Sequence, residues 1–333
     1  MRIGLIDVDG HNFPNLALMR ISAYYKSIGN TVEWWDGFEH YDAVYMSKIF
    51  SDAYTPDIPE PTNADEIIKG GTGYCITTDK DGIEHFDKSK DNDLPVEIER
   101  MFPDYSIYPQ YDFAVAMTSR GCPRGCAFCH VAAKEGRCAV KVADVSDFWC
   151  GQPEIQVLDP NITACKDKRD LFRQYRETGA GIWFNQGLDI RSLNDDDIAD
   201  LNTMRVSKIH FAWDNPTDEL QEKFEYYAKH ATRKPKGSFA TVLILTNFEN
   251  VSVEEHVERA LHRIYTVAAL NYNPYLMIYN KPSAPRVIRE MQRWCNNKFI
   301  FKKVPRFEDY RRSRSLLLSG EDAKQVDGQE SLF

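Results

Sequence analysis

Cys122, Cys126 and Cys129 stand in the run Thr118-Ser-Arg-Gly-Cys-Pro-Arg-Gly-Cys-Ala-Phe-Cys-His130, with the spacing Cys-x3-Cys-x2-Cys. With eight cysteines in 333 residues, the chance of such a triple arising at random is roughly 0.005. Thiolates bunched in this way select zinc or an iron-sulfur cluster. A structural zinc normally closes on four protein ligands, and the local candidate for a fourth is His130, which would have to fold straight back from Cys129. A [4Fe-4S] cluster held by three thiolates leaves one iron open to an exogenous ligand, and an open iron is a place for chemistry.

The segments around this loop must position it. From Tyr111 onward, β-type apolar runs alternate with helical patterns through six rounds. The runs read DFAVAMT, EIQVLDP, GIWFNQG, KIHFAWD, FATVLILT and PYLMIYN, and helices are expected at about 142–150, 164–179, 195–205, 217–231, 252–269 and 284–297. Ser252 and Glu255 have capping-box spacing and mark the start of the fifth helix. Apolar runs without alternation suit a parallel sheet covered on both faces and joined by right-handed crossovers. Polar residues recur where these strands end: Asp159 and Asn161; Asn185, Gln186, Asp189 and Arg191; Asp214 and Asn215; Thr246 and Asn247; Asn280 and Lys281. In a parallel βα barrel, functional groups gather at these ends.

A cysteine trio of this spacing, with the aromatic Phe128 before its third member and a βα series beginning just ahead of it, resembles the radical S-adenosylmethionine superfamily. The likeness covers about residues 111–300. It implies a partial (βα)6 barrel with a [4Fe-4S] cluster on Cys122, Cys126 and Cys129. It further implies that the open iron chelates S-adenosylmethionine and that reductive cleavage yields a 5'-deoxyadenosyl radical, which abstracts hydrogen from a substrate the sequence does not identify. Methyl transfer and rearrangement both suit such a plan. The second strand of the family usually ends in a Gly-Gly-Glu-like segment that receives the methionine amino group; here Leu158-Asp159-Pro160-Asn161 occupies that place. Phe128, Asp159, Asn161, Asn185, Gln186, Asp189, Arg191 and Asp214 are the residues expected to meet S-adenosylmethionine, Arg191 because a planar fork can hold a carboxylate bidentately. The partner implied is a low-potential electron donor of the flavodoxin or ferredoxin type. Cys75, Cys138, Cys150, Cys165 and Cys295 lack paired spacing and are expected as buried thiols, with Cys165 near enough to the Asp159 loop for a redox or radical role.

Residues 1–75 read as strand, helix, strand, strand, a small open α/β unit. Placed ahead of such a barrel, this unit resembles a cobalamin-binding domain, which makes cobalamin a further expected cofactor. Gly70 and Gly71 would let the backbone approach a flat ligand. The Asp-x-His-x-x-Gly ligand motif is absent, Asp9 standing where the histidine would be and His11 lying two residues on. Residues 76–110 read as a connector, and 301–333 as a basic extension with a polar tail.

At roughly 150 residues per domain, the length predicts about two domains. Hydrophobic residues make up 43% and charged residues 27%, with a mean hydropathy of -0.49, ordinary values for a soluble globular chain. No apolar run reaches the roughly 18 residues of a membrane helix and no export signal opens the chain, so a cytoplasmic protein without a membrane partner is expected. The net charge is -9, which argues against nucleic acid coating the whole surface. The basic side chains nevertheless crowd into 281–320, where eleven Lys and Arg face three Asp and Glu. A different class of function therefore competes: a zinc-stabilised nucleic-acid-binding module with these basic residues on phosphate.

Overall fold

The computed structural model describes residues 1–10, 13–80 and 82–311. The chain divides into two compact units. The first is Met1–His210 with His230–Arg233; the second is Phe211–Lys229 with the described residues from Lys234 onward.

The first unit opens with β1 (Arg2–Asp7), α1 (Leu16–Ser27), β2 (Thr31–Trp34), β3 (Tyr41–Ser47) and β4 (Ala64–Gly70). Asn15 caps α1, its side chain accepting from the Leu18 N–H. The four strands form a parallel sheet in the order β2-β1-β3-β4. Alternation along β1 separates two cores: Ile3 and Leu5 pack with Leu18 and Ile21 of α1 on one face, and Ile6 packs with Tyr41, Val44 and Met46 on the other. The expected open α/β arrangement is thus present.

Next come a hairpin of β5 (Ile76–Thr78) and β6 (Glu84–Phe86), the single turn α2 (Val96–Glu99), β7 (Phe113–Ala116), β8 (Ser119–Arg120), α3 (Val131–Glu135) and β9 (Val140–Lys141). Then follow β10 (Glu154–Val157), α4 (Lys168–Thr178), β11 (Gly181–Leu188), α5 (Asp195–Thr203) and β12 (Val206–Ala212). The second unit holds α6 (Gln221–His230) up to Lys229, β13 (Ala240–Thr246), α7 (Val253–Ala269), β14 (Asn273–Ile278), α8 (Arg286–Asn296) and α9 (Lys298–Lys303).

Strands β7 and β10 to β14 make a six-stranded parallel sheet whose neighbours follow chain order, β14-β13-β12-β11-β10-β7. All six expected strands are there. The helix expected at 142–150 is not. Only Val145–Asp147 makes a 3-10 turn, because the segment's start stays extended beside the β8–β9 neck, the Val142 and Ala143 N–H groups donating to the Thr118 carbonyl at 2.8 and 3.3 Å. Gly151, at φ 110°, and Pro153 then end any helical run. Among the described residues, no helix is long and apolar enough to cross a membrane. The expected polar tail, from about Ser319, lies outside the described residues.

Candidate functional site

The three cysteines lie on an excursion that leaves the sheet after β7 and is closed at its base. Strands β8 and β9 pair antiparallel, Ser119 with Lys141 and Arg120 with Val140, while the Val142 N–H donates to the Thr118 carbonyl at 2.8 Å. Inside this neck the chain turns tightly. Gly121 has φ 84°, and a Cβ there would stand 2.1 Å from the Cys138 carbonyl oxygen, so no side chain fits. The Cys122 N–H donates to the Gly136 carbonyl at 3.1 Å, and the Cys129 N–H to the Cys126 carbonyl at 3.0 Å, which closes a turn between two of the thiols.

Asp159 pins the loop to the sheet. It is 2% exposed at the end of β10. One carboxylate oxygen accepts from the Thr118 N–H at 3.0 Å, and the other accepts from the Thr118 hydroxyl at 2.9 Å and from the Ser119 N–H. Tyr175 of α4 reaches the same hydroxyl at 3.2 Å. Burial disfavours the charged form and pushes the carboxyl up to about 6, although the hydrogen bonds from Thr118 and Ser119 oppose it. Both Asp159 oxygens thus accept from the chain segment that leads into the cysteines.

A second chain of contacts starts at Cys122. The Asn161 side-chain amide donates to Cys122 Sγ at 3.4 Å, and the Thr163 hydroxyl donates to Asn161 Oδ1 at 2.7 Å. The Asp189 N–H then donates to Thr163 Oγ1 at 3.3 Å. Asp189 in turn binds Arg124, from between the first two cysteines, at 2.6 Å and Arg191 at 2.7 Å. Burial works against ionisation of Asp189, but Arg191 and Arg124 outweigh it and hold the carboxyl below its usual range. One network therefore joins the cysteine loop to the ends of β10 and β11. Of the residues named from sequence, it gathers Asn161, Asp189 and Arg191 about Cys122.

The other residues named from sequence have these surroundings. Phe128 is half-buried beside Cys129. The Asn185 carbonyl accepts from the ring of His210 at 2.8 Å, and Gln186 is exposed. Asp214 belongs to the second unit, where it accepts from the Leu245 N–H at 3.2 Å. There Arg263, 2% exposed, donates to the carbonyls of Trp213, Asp214 and Leu245 at 2.7, 2.8 and 3.0 Å. It fastens the ends of β12 and β13; burial drops its guanidinium to about 10.

His130 is turned to the β5–β6 hairpin, its Nε2 lying 3.4 Å from Glu84. Glu84 also accepts from the Ser51 hydroxyl, and the His130 contact holds its carboxyl below the usual range. Cys75, Cys165 and Cys295 are buried as expected, and burial raises the Cys165 thiol. Cys138 and Cys150 are exposed, against expectation, because both fall in loops, beside the β8–β9 neck and next to Gly151.

At the carboxyl edge of the four-stranded sheet, the glycines answer to the chain itself. A Cβ on Gly71, at φ 101°, would stand 2.3 Å from the Lys48 carbonyl oxygen, and one on Gly73 would stand 2.2 Å from that of Phe50. Gly70 would meet only the Asn92 carbonyl, at 3.8 Å. Lys48 is fully buried and pairs with Asp52. His11 lies outside the described residues. Among the described residues, Gly71 and Gly73 are accounted for by the chain's own backbone.

The donor set of the cysteine loop does fit an iron-sulfur cluster: three thiols on one sealed turn, with an amide N–H aimed at the first sulfur. A cube takes each thiolate on a different iron, so its sulfur ligands stand farther apart than the donors of a single metal ion while still facing one cube. Among the described residues, no three His, Cys, Asp or Glu side chains are grouped to hold a single metal ion. No family model matches the chain, and no curated protein matches it.

Proposed function

We propose that this protein is a radical S-adenosylmethionine enzyme, with one [4Fe-4S] cluster on Cys122, Cys126 and Cys129 and the six-stranded sheet forming a partial (βα)6 barrel. The observation that carries the reading is the sealed cysteine excursion after the first strand of that sheet, with Asn161 donating to the Cys122 sulfur. When bound and reduced, such a cluster supplies the electron that splits S-adenosylmethionine into methionine and a 5'-deoxyadenosyl radical.

The chain's own contribution is ligation and posture. The three thiolates hold the group and leave one coordination position open. The Asn161 amide draws charge from one thiolate, which favours the reduced state. Asp159 keeps Thr118 and Ser119 in place, and the Arg124–Asp189–Arg191 bridge keeps the tip of the loop against β11. Arg191, Asn185, Gln186 and Phe128, all of the first unit, remain the side chains proposed to receive S-adenosylmethionine. A low-potential flavodoxin- or ferredoxin-type protein in the cytoplasm would deliver the electron.

Anaerobic reconstitution tests the reading. The expected product is a brown protein with about four irons per chain, whose reduced electron paramagnetic resonance spectrum changes on adding S-adenosylmethionine and which forms 5'-deoxyadenosine under a strong reductant. Cys126→Ala should lose the iron and the cleavage while keeping the wild-type far-ultraviolet circular dichroism. A colourless protein with one tightly held zinc, or undiminished 5'-deoxyadenosine from the Cys126→Ala protein, would overturn it.

A further inference from the structure

Within the first unit, the sheet face turned away from α4 carries polar groups that the cysteine network does not use. Phe184 packs against Phe172 and Tyr175 of α4, with ring centroids 6.1 and 6.4 Å apart. Side chains alternate along a strand, so Trp183 and Asn185 face the other way. Gln156 of β10 is in register with Trp183. From β12, Lys208 sets its Nζ 3.7 Å from the centre of the Trp183 ring, and the His210 ring lies edge-on to the same indole at 5.9 Å. His210 Nδ1 is 2.8 Å from the Asn185 carbonyl. A carbonyl only accepts, so Nδ1 carries the proton and Nε2 is left as an acceptor.

Two of these groups are buried with no hydrogen-bond partner, Gln156 Oε1 and Trp183 Nε1. One is an acceptor and one a donor, side by side across two strands. Gln156 is 3% exposed. Buried polar groups are paired in nearly every working protein, so an acceptor and a donor left open together mark a place for a ligand. Lys208 adds a positive charge. Among the described residues, its ammonium has the Trp183 ring as its neighbour and no carboxylate partner. A cationic ligand would be repelled, and a hydrocarbon would leave both open groups unpaired.

Building on the enzyme reading above, we propose that Lys208, Trp183 and Gln156 recognise a substrate that is a small organic oxyanion, a carboxylate or a phosphate ester, carrying an N–H or O–H donor. The oxyanion accepts from the Lys208 ammonium and the Trp183 indole N–H, and the donor is received by the Gln156 amide oxygen. His210 Nε2 lies on the same face as a second acceptor.

The test is calorimetric titration of the full-length protein, prepared anaerobically, with two probes: inorganic phosphate and glycolate. Wild type should bind at least one saturably. Lys208→Met should weaken that binding about tenfold or more, since a charge-assisted hydrogen bond is lost, while Lys208→Arg keeps the charge and should restore most of it. Gln156→Leu should weaken the binding by about fivefold or more. Affinity for S-adenosylmethionine should be alike in all four proteins. No saturable binding by wild type, or equal binding by Lys208→Met, overturns the proposal. So does a parallel loss of S-adenosylmethionine affinity in Lys208→Met, because the surface would then belong to that ligand. Iron content reports separately on the enzyme reading: a protein that cannot hold iron yet binds phosphate through Lys208 would refute the cluster and keep the anion site.

Discussion

Asp159→Asn isolates one carboxyl, and its effect should reverse the usual dependence of stability on pH. The native carboxyl titrates at about 6, against an ordinary 3.8, because burial disfavours its charge. The native state therefore holds the proton more tightly than the unfolded chain. Its stabilising contribution is complete below about pH 4 and is lost as pH rises through about 6. The gap of about two pH units, at about 1.36 kcal/mol each, is worth about 3 kcal/mol. Asparagine cannot titrate, and its NH2 group would face a backbone N–H where the carboxylate accepts from Ser119, a loss of about 1–3 kcal/mol. The variant should thus be clearly less stable than wild type at pH 4, and the deficit should shrink by about 3 kcal/mol by pH 7. Paired urea denaturation of both proteins across this range measures the difference directly, since titrations common to both cancel. A deficit that stays constant from pH 4 to 7, or one that grows, would refute the assignment of a buried, proton-holding anchor beneath the cysteine loop.

Two other changes separate loop from scaffold. Gly121→Ala forces a left-handed residue with a Cβ into the Cys138 carbonyl; the backbone cost alone is roughly 1–3 kcal/mol, and iron loading after reconstitution should fall steeply while the circular dichroism of the sheet persists. Full loading would mean the neck is not needed. Arg263→Met leaves three carbonyls at the ends of β12 and β13 without their donor and should cost roughly 3–5 kcal/mol in denaturant unfolding. A cost under about 1 kcal/mol would show that water replaces the guanidinium.

The chemistry-bearing residues and the rhythm of the elements were legible in the amino-acid order. Three thiols within eight residues are a local fact, and so are the unbroken apolar runs that became β7 and β10 to β14. Local signals misled where the backbone answered to distant partners. The helix expected at 142–150 yields to pairing of Val142 and Ala143 with the Thr118 carbonyl, more than twenty residues earlier. Gly71 is already required by the Lys48 carbonyl, more than twenty residues earlier, which lies against it.

Roles changed most where both partners are polar and far apart in the chain. Asp159 has an unremarkable place at the end of a strand, and only folding brings it under Thr118 and Ser119. Arg124 looks like a spacer between cysteines until Asp189 meets it 65 residues on. Gln156, Trp183 and Lys208 carry no sequence signal as a group, because they lie on three strands whose register is set by core packing on the opposite face. Residue spacing alone determined where the thiols bunch and how many strands the larger sheet has. Tertiary structure decided which carboxylates stay charged, which polar groups remain open and which glycines are obligatory, since each depends on burial and on neighbours supplied by remote parts of the chain.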